Sequence, residues 1–257
     1  MGDGVPSKKT AALDTRVRLE YFPVSKSPRS DRAMRKPLFS LKTHIGNVRK
    51  RNEDFCDVSS DGLFFAVADG IGGGPHGGIA SRLAVKSAIN ASMFSADPYT
   101  RSVEAFFGAT LSVQSNAMTK YAGMGTTLVT LAIDPGLRTV VVGHCGDSRC
   151  YMFRDGKLKR LTKDHSVDQR LTDAITTYTR PSPKFKTMPL GLHDLFLLCT
   201  DGVTGELTDV QIAGILDKHG HQAHPGGDAA AVVRAAVAGP GLGRDNATAV
   251  VAWVPRR

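Results

Sequence analysis

Five aspartates at the borders of apolar segments suggest the chemistry of this chain. They are Asp54, Asp69, Asp147, Asp201 and Asp245. The sequence shows no cluster of histidine or cysteine beside them, and ligand sets made only of oxygen suit hard cations rather than zinc. Carboxylates gathered without a cation would repel one another and raise one another's pKa values. If folding brings these acids together, the expected cofactor is Mn²⁺ or Mg²⁺.

Two of these acids, Asp69 and Asp201, precede a glycine, and that pairing has a simpler interpretation. Asp-Gly is the most common signal for a tight hairpin turn, so for any single copy a turn is the favoured interpretation. We predict such a turn at residues 154–157, where short, half-polar runs flank Asp155 and Gly156. At the other Asp-Gly positions, only a fold that brings several of these acids close together would overturn the interpretation as a turn.

The elements that must position the acids are predicted from the apolar pattern. Residues 63–69, 140–145 and 195–200 are runs of aliphatic and aromatic side chains, which is typical of strands buried on both faces. Further strands are predicted at 38–43, 128–133, 150–153, 158–161 and 247–254, and helices at 79–94, 103–121, 208–216 and 229–238.

Two predictions concern how these elements pack. The second helix carries Phe106, Phe107, Leu111 and Met118 at helical spacing, and we expect these side chains in the core. Residues 162–194 show the least regular pattern of the domain and are predicted to form an exposed excursion.

The composition limits the class of protein. With 257 residues and 41% hydrophobic content, the chain can form one ordinary domain or two small ones. It has no apolar run near the about 20 residues of a membrane-spanning helix, and no secretory signal. Cys56, Cys145, Cys150 and Cys199 lack CxxC spacing, so we expect reduced, structural thiols rather than disulfides or a zinc site. These features predict a cytoplasmic protein without a transmembrane segment.

The net charge of +9 arises in the N-terminal part of the chain. Residues 1–51 hold 13 Lys and Arg against 4 acids, whereas the charges of the remainder balance. Residues 1–37 are rich in Lys, Arg, Ser and Pro without a hydrophobic period, and we predict a flexible extension. Basic tails can bind nucleic acid or anionic membranes. A solvated tail without a single ligand is the favoured interpretation, so nucleic acid is not the expected partner.

Seven short motifs follow one another along residues 38–257. They are Arg49-x-x-Asn52-Glu53-Asp54, Ala68-Asp69-Gly70-x-Gly72-Gly73, Gly125-Thr126-Thr127, Gly146-Asp147-Ser148-Arg149, Thr162-x-Asp164-His165-Ser166, Cys199-Thr200-Asp201-Gly202 and Arg244-Asp245-Asn246. In this order and strand context they resemble the metal-dependent serine/threonine protein phosphatases of type 2C, the PPM family. The Gly-Thr-Thr motif and the spacing after the second motif resemble the bacterial branch.

The resemblance implies a fold. Members of the family are α+β proteins in which two central antiparallel β-sheets are flanked by helices, a four-layer αββα sandwich. Residues 38–257 would form this phosphatase domain. The family's flap, which bacterial members often have in a longer form, would be a shortened segment at about residues 166–194.

The resemblance also implies a metal centre. By analogy Asp69 would bridge two metal ions, and Gly70 would add its backbone carbonyl. Asp201 and Asp245 would complete one site. Asp147 and Asp201 are similar to the residues that hold a third, weaker ion in bacterial members.

The second metal site and the substrate complete this analogy. Glu53 and Asp54 would serve the second site directly or through water. Arg49 would grip the substrate phosphate, because a guanidinium offers two parallel donors and a compensating charge. The expected reaction is direct hydrolysis of a phosphomonoester by a metal-bridging hydroxide, with Asp69 and Asp201 as central catalytic residues.

Some features depart from the animal members or argue against another mechanism. Where animal members have a histidine after Asp-Gly, a candidate general acid, this chain has Ile71, and His76 is a possible substitute. A covalent phosphoenzyme is not expected, because neither Ser148 nor Cys145 has a recognisable His and acid pairing.

Three functions were weighed. The leading hypothesis is a phosphatase that acts on phosphorylated proteins, opposes a Ser/Thr kinase of the eukaryotic type and is a monomer. The alternative is a catalytically weak, PPM-like domain that binds or regulates partners, and the presence of the core acids and of Arg49 weighs against it. The third hypothesis, a nucleic-acid-binding protein, is supported only by the basic tail.

Overall fold

The protein is described by a computed structural model over residues 35–71, 76–168, 170–219 and 228–255. The expectation of a flexible extension concerns residues that lie, apart from 35–37, outside the described part. Residues 35–37 carry no regular structure and lead directly into the first strand.

The described residues form fourteen strands and five helices. The strands are β1 Leu38–His44, β2 Asp54–Val58, β3 Phe64–Asp69, β4 Gly125–Thr126, β5 Leu128–Asp134, β6 Thr139–Cys145, β7 Arg149–Arg154, β8 Lys157–Arg160, β9 Ser166–Val167, β10 Arg170–Leu171, β11 Ile175–Thr176, β12 Lys184–Pro189, β13 Leu195–Cys199 and β14 Ala247–Trp253. The helices are α1 Gly77–Ser92, α2 Pro98–Thr119, α3 Asp201–Thr204, α4 Asp209–His219 and α5 Asp228–Val237. The strands and long helices predicted from the apolar pattern are all present.

Ten strands form two five-stranded antiparallel sheets. Sheet I has the order β1-β14-β13-β7-β8, and sheet II has the order β12-β6-β5-β3-β2. The short strands pair as β10 with β9 and β11 with β4. The turn predicted at residues 154–157 joins β7 to β8, and Asp155 takes the left-handed backbone conformation there with φ 51°.

Three apolar clusters separate the layers of the fold. Strand β3 shows how one strand serves two of them, since side chains alternate between the faces of a sheet. Phe64 and Ala66 pack against α1 and α2, whereas Phe65 and Val67 pack against sheet I. The third cluster lies between sheet I and the helices α3, α4 and α5. The predicted four-layer αββα sandwich is therefore confirmed.

Helix α2 begins five residues before its predicted start. Asp97 caps it by accepting a hydrogen bond of 2.7 Å from the backbone N–H of Thr100, and Pro98 occupies the first turn. This combination of an acidic N-cap and an early proline is a recognised start signal. The apolar period alone did not reveal it, because the first turn of the helix is mostly polar.

The prediction that four large side chains of α2 lie in the core was wrong for three of them. Phe106 is 3% exposed and meets Phe185 edge-on at 5.5 Å between ring centroids. Phe107, Leu111 and Met118 are 70%, 56% and 81% exposed. The face toward sheet II is filled by small side chains, among them Ala105 and Ala109. Helical spacing showed that apolar residues recur along α2, but it did not show which side of the helix faces the sheet.

The prediction of an exposed excursion at residues 162–194 was also too broad. Residues 184–189 form β12, the edge strand of sheet II, which pairs with β6 along its whole length. Its lysines point to solvent while Phe185 packs on α2, so only part of the strand is buried. Such a half-polar edge strand gives a weak apolar signal. The shortened flap stays a prediction for the segment before it.

Two absences concern the described residues. No helix there combines the length and apolar content that crossing a membrane requires. The four cysteines all lie in this part of the chain, and each is a free thiol.

The packing of α2 generates a test. Phe106→Ala should lower the free energy of unfolding by about 3–5 kcal/mol, because it empties a packed site between α2 and sheet II. Phe107→Ala is the matched control one residue away, and we expect a change within about 0.5 kcal/mol. Urea unfolding of both variants measures the difference. Equal losses would contradict the assigned orientation of the helix.

Candidate active site

Two of the predicted acids lie opposite each other at one end of sheet II. Asp54 of β2 is the cross-strand partner of Asp69 of β3. Phe65 and Val67 belong to the core between the sheets, so alternation along β3 directs Asp69 to the same side. Cys56, on β2, packs against that core too, which directs Asp54 there. Two carboxyl groups thus meet at the rim of the space between the sheets.

Sheet I supplies two further acids from neighbouring segments. Asp201 follows β13, and Asp245 lies just before β14, its neighbour in the sheet. The two segments touch at Gly202, where an added Cβ would lie 2.0 Å from the carbonyl oxygen of Asn246. No other residue fits at that position without displacing the backbone. The glycine therefore lets both acids approach sheet II together.

A threonine network, which the sequence analysis did not identify, supports Asp54. Thr200 Oγ1 donates a hydrogen bond of 2.9 Å to Asp54 Oδ2, and it accepts one of 3.0 Å from the backbone N–H of Thr248. The hydroxyls of Thr248 and Thr43 lie 2.7 Å apart. No local pattern signals this network, because Thr43 and Thr248 are 205 positions apart in the chain. It ties the acid of one sheet to the strands of the other.

The predicted residues Glu53 and Gly70 form the wall toward α1. The carbonyl of Glu53 accepts hydrogen bonds from Ser81 Oγ at 2.5 Å and from the backbone N–H of Gly70 at 3.1 Å. An added Cβ at Gly70 would lie 2.3 Å from the backbone of Gly77, so only glycine fits there. The Glu53 carboxylate itself lies against Gly77, at the first turn of α1.

Asn246 holds the loop that carries Arg49 and Glu53. Its side-chain oxygen accepts a hydrogen bond of 2.8 Å from the backbone N–H of Glu53. Its side-chain nitrogen donates to the carbonyls of Ile45 and Arg51 at 2.7 and 3.0 Å. One asparagine thus fixes the charged loop against the start of β14.

The electrostatics of the acids reflect their crowding. Burial raises the pKa of Asp54 to about 7, and the charges of Asp201 and Asp245 add to the rise while hydrogen bonds from threonines oppose it. Burial and the charges of Asp54 and Asp201 hold the pKa of Asp69 well above its usual range. Burial also raises the pKa of Asp201, and that of Asp147 to about 6, with the Asp201 charge contributing to the latter. The raised pKa values mean that the surrounding protein groups do not fully compensate the negative charge of these carboxylates.

Two buried oxygens of the acid cluster lack any partner. Asp54 Oδ1 and Asp201 Oδ1 are shielded from solvent and receive no hydrogen bond. An unpaired buried carboxylate oxygen is costly, and it is relieved by protonation or by a cation. The donor set here consists of oxygen atoms only, which fits a hard divalent cation. The residues present therefore fit the metal that the sequence predicts.

Asp245 points to Arg49 rather than to the other acids. The guanidinium donates two hydrogen bonds to it, Nε to Oδ1 at 2.8 Å and Nη2 to Oδ2 at 2.7 Å. Within the described ranges, no three of the predicted acids bring oxygens within 4.8 Å of one another. Asp69 and Asp201 do approach each other, because their side chains share a hydrogen bond that raises the pKa of Asp69. Arg49 itself is 46% exposed, so its guanidinium is open to a solute.

Asp147 approaches the centre from β6. It follows Gly146, whose φ of 109° turns the chain after the strand. Ser148 beside it is 1% exposed and shares a hydrogen bond of 2.8 Å with the hydroxyl of Thr127. A serine so enclosed is a structural residue, in agreement with the rejection of a serine nucleophile.

Two of the sequence motifs hold each other in place. Arg149 donates to Asp164 through Nε and Nη2, with 2.8 Å for the shorter contact, and Arg160 also contacts Asp164. Partial burial strengthens such a pair relative to one at the surface. Asp164 therefore has a structural task. It fixes the chain after β8 against the start of β7, beside Asp147.

His76, the proposed substitute acid, lies at the entry to α1. Its ring packs against Tyr121 at 5.1 Å between centroids. The preceding residues 72–75 lie outside the described part of the chain. The role of His76 stays a prediction.

Comparison with known proteins places this geometry in a family. The family model described as Protein phosphatase 2C matches residues 43–224. Protein phosphatase PhpP of Streptococcus pneumoniae is 29% identical over 206 residues, which cover 69% of this chain and 83% of PhpP. Serine/threonine protein phosphatase PstP of Mycobacterium tuberculosis is 29% identical over 245 residues, which cover 84% of this chain and 45% of PstP.

Solved structures show the same fold. The Mycobacterium tuberculosis serine/threonine phosphatase PstP/Ppp has a TM-score of 0.74 and 26% identity, covering 86% of this chain and 99% of its own. The PPM Ser-Thr phosphatase MsPP from Mycobacterium smegmatis, in complex with cacodylate, has a TM-score of 0.72 and 28% identity, covering 84% and 97%. The PstP catalytic domain in complex with two manganese ions has a TM-score of 0.72 and 25% identity, covering 86% and 99%.

The matched residues 43–224 include Arg49, Glu53, Asp54, Asp69 and Asp201, the residues that the fold gathers at the rim between the two sheets. Sequence, fold and the position of the acids thus agree, and the chain belongs to the protein phosphatase 2C family.

Proposed function

We propose that this chain hydrolyses phosphoserine and phosphothreonine in proteins with two divalent cations, Mn²⁺ or Mg²⁺, held at the acid cluster. The observation that carries the proposal is the pair of buried oxygens without a partner, Asp54 Oδ1 and Asp201 Oδ1, in a set of mutually repelling carboxylates. The family and the two manganese ions of the PstP catalytic domain support it.

Each acid has a proposed task. Asp69 would serve both ions and Gly70 would add its backbone carbonyl, while Asp201 and Asp245 would complete one site. When bound, the cations would supply an activated water and stabilise the charge on the leaving oxygen.

The remaining acids would act at the edges of the centre. Glu53 and Asp54 would serve the second site, directly or through water. Asp147 would share a third ion with Asp201, whose charge already affects its pKa.

Arg49 would bind the substrate phosphate. It is the half-exposed cation at the edge of the cluster, and its present partner Asp245 is a proposed ligand. With Asp245 serving as a metal ligand, the two parallel N–H donors of Arg49 would be available to a substrate. A phosphate offers these donors the same two-pronged geometry as a carboxylate.

Among the described residues, neither Ser148 nor Cys145 suits a covalent mechanism. The expectation that Cys145 lacks a His and acid pairing was wrong, since ligand atoms of His165 and Asp173 lie within 4.8 Å of its sulfur. Ser148 is enclosed, and Cys145 is 1% exposed. Burial raises the pKa of the Cys145 thiol, which lowers the fraction present as the nucleophilic thiolate. Attack by water is therefore the reaction that the side chains support.

The finer parts of the hypothesis stay predictions. They are the opposing Ser/Thr kinase, the choice between manganese and magnesium, the monomeric state and the cytoplasmic location. No observation favours the partner-binding alternative, and the basic tail lies almost wholly outside the described residues.

The proposal is tested with a phosphothreonine peptide. Phosphate release should require Mn²⁺ or Mg²⁺ and fall to background in excess EDTA. Asp201→Asn should lower turnover at least about 100-fold, because even partners behind metal ligands contribute about 10- to 100-fold. Asp155→Asn, the same substitution in the β7–β8 turn, is the control and should keep full activity. Full activity in EDTA, or near-normal turnover of Asp201→Asn, would refute the proposal.

The task of Arg49 is tested by kinetics. A charge-assisted hydrogen bond contributes about 1.5–3 kcal/mol, so Arg49→Ala should lower kcat/KM about 10- to 100-fold, with a raised KM. Arg49→Lys should recover only part of the loss, since ammonium lacks the planar fork. Lys157→Ala removes an exposed cation of β8 and serves as control. An unchanged KM in Arg49→Ala would exclude a role in substrate binding.

The pKa of Asp54 predicts how stability depends on pH in metal-free protein. Its folded-state pKa of about 7 exceeds the ordinary 3.8, so the folded state binds more protons than the unfolded state between these values. The free energy of unfolding should therefore fall as pH rises from about 5 to about 8 in EDTA. Asp54→Asn should reduce this slope, and Asp155→Asn should not. Urea unfolding at both pH values measures it, and an undiminished slope in Asp54→Asn would contradict the assignment.

A further inference from the structure

A second group of possible metal ligands lies apart from the acid cluster. Potential ligand atoms of Cys145, His165 and Asp173 all lie within 4.8 Å of one another, and within the described residues no other such group of three is found. They come from the end of β6, from the segment between β8 and β9, and from the loop between β10 and β11. Separations of 20 and 8 positions along the chain hid this group from sequence analysis.

We propose that Cys145, His165 and Asp173 form a metal site of their own, selective for a borderline-soft cation such as Zn²⁺. Thiolate and imidazole favour zinc and cobalt, whereas Mg²⁺ and Mn²⁺ favour the all-oxygen acid cluster. Three protein ligands leave one tetrahedral position for water. Ligand chemistry thus separates this cluster, which we call the thiol site, from the proposed catalytic centre.

The backbone and surrounding groups already fix the ligands of the thiol site. The backbone N–H of His165 donates to the carbonyl of Gly146 at 3.0 Å, and the carbonyl of His165 accepts from Thr172 at 2.8 Å. Asp173 Oδ2 accepts a hydrogen bond of 2.9 Å from the backbone N–H of Ser182. Partners of this kind orient metal ligands and strengthen binding.

The imidazole of His165 is held beside Asp173. Its Nδ1 accepts a long hydrogen bond of 3.4 Å from the backbone N–H of Gly146. The same nitrogen lies 3.8 Å from Asp173 Oδ2. The ring of His144 packs on that of His165 at 4.7 Å and restricts its rotation.

The thiol site is accessible although Cys145 is buried. A cleft of about 550 Å³ opens beside it, lined by His144, His165, Thr172 and Lys184 among others. His165 is 15% exposed and Asp173 20% exposed in their side chains, so an ion can reach them from solvent. A nucleophilic role for the thiol is disfavoured, because burial and the nearby Asp173 raise its pKa.

A bound ion would join three segments of the chain. Cys145 ends a central strand of sheet II, whereas Asp173 lies in the predicted flap at about residues 166–194, and His165 lies directly before it. The ion would therefore tie this segment to the sheet at its base. This link would hold the flap in place, and the link would not depend on hydrolysis at the acid cluster.

Cobalt provides the test, because Co²⁺ replaces Zn²⁺ and a thiolate bound to it absorbs in the near ultraviolet. The full chain, without an affinity tag, is titrated with Co²⁺ in saturating Mg²⁺, which occupies the acid cluster and is spectroscopically silent. We expect a thiolate-to-cobalt band that saturates at one equivalent. Zn²⁺ at one equivalent should then abolish the band. Cobalt bound by acids or by the histidines of residues 219–224 would give no such band.

Substitutions identify the residues that are responsible for the thiolate-to-cobalt band. Cys145→Ser should abolish it, and Cys56→Ser, which alters the other cysteine that is not fully enclosed, should leave it unchanged. Asp173→Asn keeps the thiol and should weaken cobalt binding at least about tenfold. Absence of the band in the unaltered chain, its persistence in Cys145→Ser, or unchanged affinity in Asp173→Asn would each overturn the proposal. Asp173→Asn decides the question if Cys145→Ser does not fold.

Discussion

Repulsion among buried carboxylates is the constraint on which the rest of this structure depends. Asp54, Asp69 and Asp201 each have a raised pKa, with loss of water as the first cause and neighbouring charges as a further one. Anions in this arrangement are unfavourable unless a cation or a proton compensates them. The fold maintains an unfavourable charge arrangement at one rim, and its stability must come from elsewhere in the molecule.

That stability comes from the layered apolar core. The three clusters fill the spaces between helices and sheets. Strands β3 and β13, which lead to Asp69 and Asp201, are buried on both faces. A strand such as β3 cannot shift its register by one residue without exchanging Phe65 for Phe64 at the inter-sheet face. The register that buries these rings also places Asp69 opposite Asp54. Packing thus holds the acids where electrostatics alone would separate them.

Uncharged residues support the acid cluster without adding charge to it. Thr200 and Asn246 satisfy carboxylate and backbone atoms around the rim, and Gly70 and Gly202 allow two pairs of segments to touch. The guanidinium of Arg49 pairs with Asp245 at the exposed side of the rim. Cys145 and Asp147, two positions apart on either side of Gly146, belong to clusters of different ligand type. One short turn would therefore connect the proposed thiol site with the proposed metal centre.

Much of this was determined by the sequence itself. The continuous apolar runs specified the central strands, and the seven ordered motifs specified the family, the two sheets and the acids that meet at their rim. Local patterns carry such information because strand burial, turn chemistry and the side chains required for metal binding depend on residue type and short spacing.

Other features were decided only by the tertiary structure. Helical period could not tell that Phe106 faces the sheet while Phe107 faces water, because small alanines beside Phe106 allow the helix to approach. The half-polar β12 becomes a strand only because β6 offers an open edge. The pairing of Arg49 with Asp245, and the meeting of Cys145 with His165 and Asp173, join residues far apart in the chain. Contacts of this kind depend on how packed layers bring distant segments together, and no local pattern encodes that distance.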